Sequence, residues 1–393
     1  MRILVLTEHF LPAVGGSITW LVNTYSRYRP SDTIVIAGRH AGAGAIDAGL
    51  PFRVERTAMT MADWDPTLPS SLSRYLQISW YVFTSCRRYS IQQIHCAKVL
   101  PEGLIALFIK LVKRIPYLLY AHGEEIQMGL TSHKFRWLIP KIYNSASVII
   151  ANSRNTQALL QNIGVHPAKI HIIHPGVNLQ LFHNGKQSAQ RTKEKYQLGD
   201  APVLLTVGRL QRRKGHDMVI RALPLIKAKF PRAMYLIVGA GEEFAYLQAL
   251  VDEMGVADSV IFSGCVADEE LLGYYAACNV FIMPNREIDG DIEGFGMVYL
   301  EASAASKPVI GGRSGGTGDA ILDGITGLRV DGTSVAQIAD AVISLLSDPE
   351  KSKTMGKNGC QWAAQEFTWD VVVQRTHPLA MAIQAETDRR RRR

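Results

Sequence analysis

Two glutamates, Glu293 and Glu301, bracket the stretch EGFGMVYLE. Between them lie Gly294, Gly296 and an apolar run. Glycines placed this close together cost backbone entropy, so their presence asks for a reason. A helix starting here supplies one. Its first N–H groups have no intrahelical partner and attract anions, and glycines at 294 and 296 let a ligand come close to them. At about 100° per residue the two acids fall within about 80° of one helix face, some two turns apart. Two hydrogen-bond acceptors flanking an anion site suit a sugar on one side, a ribose on the other and a diphosphate between.

A matching set of cations lies in GRLQRRKGHD. Arg209 follows Gly208 at the end of an apolar run, and Lys214 comes just before a helical pattern. Two cations and a helix N-terminus at a strand end form a site for a diphosphate. Arg212 and Arg213, between them, read as a solvated basic turn. Earlier, YAHGEE puts His122 at a strand end, where its ring can hydrogen-bond a polar substrate, and the opening strand leads to Gly15-Gly16 before a helix. Neither G-x-G-x-x-G nor G-x-x-x-x-G-K-[ST] occurs, which argues against a nicotinamide dehydrogenase and a P-loop nucleotidase. DGD at 289–291 resembles a metal motif by letters, but it sits in a polar loop. No metal and no cofactor are expected.

The elements that position these residues are short apolar runs alternating with amphipathic ones. RILVLT (2–7), TIVIAG (33–38), YLLYAHG (117–123) and SVIIAN (147–152) read as buried parallel strands, with helical patterns at 17–28, 101–114 and 153–163. HIIHPGVN (171–178) closes this series, and a hydrophilic segment follows at 183–200. A second series runs through APVLLTVGRL, MYLIVGAG, VIFSG, NVFIMP and KPVIGG. This alternation predicts an α/β protein of two doubly wound, Rossmann-like parallel-sheet domains, 1–177 and 178–393, facing each other across a cleft. Ligands in such sheets bind beyond the carboxyl ends of the strands, where these glycines and charges lie.

The bulk properties agree with a two-domain globular chain. It has 393 residues, 47% hydrophobic and 20% charged. Five scattered cysteines with no C-x-x-C pair fit a reducing cytosol, and the location expected is cytoplasmic. No apolar stretch reaches the roughly 18 residues of a spanning helix. The net charge of +8 is uneven: residues 1–177 hold 18 Lys and Arg against 9 Asp and Glu, the remainder 25 against 26. A basic front half fits either an anionic partner or a solvated basic face. HKFRWLIPKIY (133–143) and KLVKR (110–114) mix basic with aromatic or aliphatic residues, which suits a packed helix with a solvated basic side or a peripheral contact with an anionic bilayer.

G-R-L-x-x-x-K-G followed by E-G-F-G-x-x-x-x-E, with a glycine pair after the first strand, resembles family four of the retaining glycosyltransferases, which have the GT-B architecture. The likeness is strongest to the bacterial branch of phosphatidylinositol mannosyltransferases and related hexosyltransferases. It implies transfer of a hexose, with retention and without metal, from a nucleotide diphosphate sugar to a glycan or lipid-linked acceptor. GDP-mannose is the favoured donor and UDP-hexoses come next. It implies that Arg209 and Lys214 hold the diphosphate, Glu293 the transferred sugar and Glu301 the ribose. The segment Gly294, Phe295, Gly296 and Met297 assists through its amides. His122 lies against the sugar, Gly16 and Gly208 near the diphosphate, and Gly239 and Val266 at strand ends that meet the nucleotide. The first domain binds the acceptor, and the last helix, about 369–388, crosses back onto it. The sequence departs from the family at His174 and Asn178 in the linker and at GDAI (318–321), so no role passes to Asp319.

Two other readings compete. A sugar-nucleotide epimerase shares the architecture and would need no acceptor. A nucleic-acid binder would explain the basic half and the five-arginine terminus, but not the acids clustered at strand ends, and no nucleic acid is expected as a partner.

Overall fold

The computed structural model describes residues 1–60, 65–126, 135–183 and 185–392; the side chains of residues 183, 186 and 390–392 are not described. Most of the five-arginine terminus and the first two residues of the basic stretch 133–143 therefore lie outside the described side chains. The chain forms two compact units, one of Met1–Pro175 with Trp369–Arg393 and one of Gly176–Thr368.

The first unit is built on a seven-stranded sheet of order β3-β2-β1-β4-β5-β6-β7. Its strands are β1 Ile3–Thr7, β2 Thr33–Gly38, β3 Arg53–Thr57, β4 Gln93–Cys96, β5 Tyr117–Ala121, β6 Val148–Ala151 and β7 Ile170–Ile172. All pair in parallel: Leu4 of β1 lies beside Ile34 of β2 on one side and Ile94 of β4 on the other. Every side chain of β1, β2 and β5 is buried, which is why these strands read as continuous apolar runs.

Strands β3 and β4 did not read that way. β3 is RVERT on the sheet edge, half-buried apart from an exposed Arg53. β4 is QIHC at the sheet centre, and its polar groups are satisfied inside. Gln93 Nε2 donates to the Ala380 carbonyl at 2.6 Å, and His95 Nδ1 is 2.5 Å from the Tyr25 hydroxyl. Ala380 belongs to the last helix, Trp369–Arg392, which packs on the helix Gly16–Arg27 of the same unit. His377 meets the Tyr28 ring edge-on at 5.5 Å.

The second unit has a six-stranded parallel sheet of order β10-β9-β8-β11-β12-β13. The strands are β8 Val203–Val207, β9 Met234–Val238, β10 Val260–Gly264, β11 Val280–Met283, β12 Val309–Gly312 and β13 Gly327–Val330. Apolar clusters cover both faces of it. The hydrophilic segment after the first series is in fact a helix over Gly185–Lys195, docked against the helix Asp268–Ala277. The docking is close because it uses glycines. A Cβ at Gly185 would sit 2.7 Å from the Ala276 Cβ, and one at Gly273 would sit 2.6 Å from the Thr192 hydroxyl.

Candidate active site

The sheet of the second unit ends in a row of glycines. Gly208 follows β8, Gly239 follows β9 and Gly264 closes β10, all with positive φ. Gly208 N–H donates to the Val238 carbonyl and Gly239 N–H to the Gly264 carbonyl, both at 2.9 Å. These strand ends thus run close together with no side chains between them. Val266, just beyond β10, packs half-buried on the apolar cluster.

From Gly208 the chain enters the basic turn. Arg209 and Arg212 are exposed, while Arg213 and Lys214 are buried. Gly215, at φ 79°, then starts the helix His216–Lys229. Its bare Cα faces the Pro284 carbonyl, against which a side chain would collide. Arg213 therefore corrects the sequence expectation. Its side chain is only 4% exposed, and it is no solvated residue. Its Nη1 donates to Glu293 Oε2 at 2.8 Å, and its Nε lies 2.9 Å from Asp291 Oδ2. Arg212 fits the solvated reading, lying over the Tyr246 ring and paired with Glu243.

Lys214 Nζ also donates to Glu293 Oε2, so two cations converge on one carboxylate oxygen. Glu293 Oε1 accepts no hydrogen bond among the described residues. Burial by itself would raise this carboxyl's pKa, but the charges and hydrogen bonds of Lys214 and Arg213 outweigh it and hold the group below the usual range. The backbone is fixed as well: the Glu293 carbonyl accepts from Gly316 N–H at 2.8 Å.

Glu293 precedes the helix, which runs Met297–Ala304 with Gly296 as its cap at φ 92°. The helical angle expected between Glu293 and Glu301 therefore does not apply, because residues 293–296 are irregular. Each acid has its own partners. Glu301 accepts from the Tyr275 hydroxyl at 2.6 Å, and burial raises its pKa against that bond. A Cβ at Gly296 would sit 2.5 Å from the Tyr299 ring, whose hydroxyl donates to the Met283 carbonyl and to Asn285 Oδ1. The Phe295 ring is buried beside Phe367, leaving only its backbone for a ligand. Gly294 and Met297 are half-buried at the helix mouth.

In the first unit, Gly16 is exposed at the start of its helix, capped by Gly15. His122 follows β5. Its Nε2 is 3.1 Å from the Ala97 carbonyl, which only accepts, so the proton sits on Nε2 and Nδ1 presents a lone pair. Nδ1 has no hydrogen-bond partner among the described residues. Trp20 meets the ring edge-on at 5.7 Å, and burial lowers its pKa, keeping it neutral. Among the described residues, no group of three or more His, Cys, Asp and Glu is placed to hold a metal ion.

The model of "Glycosyltransferase Family 4" matches residues 32–181, and that of "Glycosyl transferases group 1" matches 188–362. A GDP-mannose-dependent alpha-(1-6)-phosphatidylinositol monomannoside mannosyltransferase of Mycolicibacterium smegmatis is 33% identical over 372 residues, 93% of this chain and 94% of its own. The chain belongs to family four of the glycosyltransferases. The Mycobacterium tuberculosis protein of the same name is 31% identical over 94% of this chain and 96% of its own. Among solved structures, Anabaena HepE in complex with UDP superposes with a TM-score of 0.83 at 19% identity, covering 97% of this chain and all of that one. The fold is GT-B, and the protein is a glycosyltransferase.

For this glycosyltransferase, sequence reasoning missed Arg213, Asp291 and the pair Arg286–Asp217, whose carboxylate accepts both guanidinium N–H bonds at 3.0 and 2.7 Å. Adjacency to Lys214 and Glu293 is the signal that was available. Nothing in the letters RR-K says which arginine turns inward.

Proposed function

We propose that this glycosyltransferase moves a hexose from a nucleotide diphosphate sugar to a glycan or lipid-linked acceptor, with retention of anomeric configuration. GDP-mannose is the favoured donor, since the full-length relatives are GDP-mannose-dependent. UDP-hexoses come next. The observation that carries the reading is the convergence of Lys214 and Arg213 on Glu293 beside the glycine-capped helix end at Met297.

In this reading Arg209, Lys214 and the amides of Gly294 to Met297 take the charge that grows on the departing diphosphate. Preorganised donors of this kind lower the barrier by about 3 kcal/mol each. No metal is needed for that role. Glu293 accepts hydroxyl hydrogen bonds from the transferred sugar and Glu301 from the ribose. The backbone near Gly239 and Val266 meets the base. The first unit takes the acceptor, and its own candidate groups are Gly16 and the neutral His122.

Side chains exposed on the same unit support a membrane-borne acceptor. On the helix Pro69–Arg88, Leu72, Leu76 and Trp80 recur every fourth residue and are 49–67% exposed. The helix Leu104–Lys113 packs beside it and adds exposed Phe108 and Leu111. Arg87 and Arg88 end the first helix and Lys113 the second, its Nζ 4.0 Å from the Phe83 ring centroid. Apolar side chains edged with cations suit the headgroup region of an anionic bilayer. No helix among the described residues is long and apolar enough to cross a membrane.

A panel of nucleotide sugars scored by thermal shift and donor turnover tests the reading. Stabilisation and turnover with GDP-mannose or a UDP-hexose are expected. Formation of an epimer without added acceptor would replace it with the epimerase reading.

A further inference from the structure

The loop that carries Glu293 is fastened to the basic turn at several points, and Arg213 makes most of them. Its guanidinium reaches Glu293 through Nη1 and Asp291 through Nε, while its backbone carbonyl accepts from Arg286 N–H at 2.9 Å. Arg286 is in turn locked to Asp217 on the first turn of the helix His216–Lys229. Ile288 and Asp291 close the loop on itself by exchanging backbone hydrogen bonds at 3.1 and 2.7 Å.

The two cations on Glu293 differ in what they can do next. Lys214 is a compact ammonium on a flexible stem, placed beside Gly208 at the strand end, where an arriving diphosphate would compete for it. Arg213 is a planar fork held on two sides and buried, so it cannot follow a ligand. Glu293 is itself only 8% exposed. A carboxylate that loses its last cation in such a place is an uncompensated buried charge.

We propose that Arg213, held by Asp291, is a positioning residue that keeps the Glu293 carboxylate fixed and charged when Lys214 transfers its hydrogen bond from Glu293 to the donor's diphosphate. This rests on reading Glu293 as the acid that meets the donor sugar. Donor binding then exchanges one anion for another on Lys214, the diphosphate for Glu293. Asp291 acts through Arg213 and needs no contact with the donor.

The test measures turnover of GDP-mannose, with UDP-glucose as second donor, and affinity for GDP and UDP in Arg213→Lys, Asp291→Asn, Lys214→Ala and Glu293→Gln. Arg213→Lys is expected to lower kcat roughly tenfold or more, as a misplaced catalytic group does. Nucleotide affinity should stay within about threefold, because the loss is not one of uniform binding. The acid limb of its pH–rate profile should move to higher pH, since a single lysine ammonium cannot reach Glu293 and Asp291 together and supports the carboxylate less well. Asp291→Asn should shift the same limb less far, and the double variant should cost less than the sum of the two. Wild-type kcat in Arg213→Lys, or a loss confined to GDP and UDP affinity, overturns the proposal while Lys214→Ala and Glu293→Gln remain inactive. If those two retain activity, the underlying site reading fails instead. Should Arg213→Lys not fold, the pH profile of Asp291→Asn decides: an unmoved acid limb overturns the proposal.

Discussion

Gly239 lies so close to Gly208 that any side chain at 239 would run into the Gly208 carbonyl oxygen. The two glycines follow the neighbouring parallel strands β8 and β9, and they meet backbone to backbone. Gly239 also has φ 135°, a conformation costly for any other residue. Gly239→Ala should therefore destabilise the second unit by about 1–3 kcal/mol. It should also weaken nucleotide binding by pushing β8 and β9 apart. Chemical denaturation and GDP titration check both, and a variant as stable as wild type would contradict the close approach.

Lys214 and Arg209 should fail in different ways. Removing either by alanine is expected to lower transfer roughly 10²–10³-fold, the usual cost of one lost charge-stabilising donor. Arg209 is exposed, so its loss should cost less thermal stability than that of the buried Lys214. Lys214 is buried against Glu293, and its loss leaves that carboxylate on Arg213 alone. Lys214→Ala should thus also lower the melting temperature and raise the pH at which activity falls on the acid side. The sign follows from Glu293: its folded pKa is depressed, so the pair's contribution is present above the ordinary carboxylate range and lost as pH falls through the folded value. Turnover within a few-fold of wild type for both variants would remove the diphosphate site.

How far the letters carried depended on burial. The fully buried strands β1, β2, β5 and β8 stand out because every position must be apolar. β4 does not, since Gln93 and His95 find partners that only the tertiary fold supplies, one of them on a helix almost 290 residues away. The helix Gly185–Lys195 was hidden because small residues and not a broad apolar stripe dock it. At the site, the residue types were legible in EGFG and GRLQRRKG, but side-chain direction was not. Arg212 and Arg213 are neighbours of one type, and only the turn geometry sends one to Tyr246 and the other beneath Glu293.

The apolar and basic surface on the helices Pro69–Arg88 and Leu104–Lys113 predicts binding to vesicles containing anionic lipid, weakening as salt rises. Trp80 is 67% exposed and stacked on Phe83, so Trp80→Glu costs the fold little and removes the largest apolar contact. It should lower the vesicle-bound fraction roughly tenfold, as expected for one large side chain kept in water. Co-sedimentation that shows no preference for anionic over neutral lipid would end the membrane reading.

Glu102 offers a titration on the opposite side of neutrality from Glu293. It is fully buried just after β4, its Oε1 accepting from Glu8 N–H at 2.7 Å and its Oε2 without a partner among the described residues. Burial pushes its pKa up to about 8; the backbone N–H groups of Glu8 and of Glu102 itself, with Lys98, pull the other way, and the Glu8 carboxylate adds to the rise. The folded chain therefore keeps this acid protonated at pH values where the unfolded chain has released the proton. Its contribution is intact below the ordinary carboxylate pKa and is lost as pH climbs through about 8. Glu102→Gln keeps the shape and removes the titration. The variant should match wild type near pH 5 and exceed it by up to roughly 4 kcal/mol above pH 8. Denaturant midpoints at the two pH values measure the difference, and parallel pH profiles for the two proteins would mean that Glu102 is ionised in the folded state.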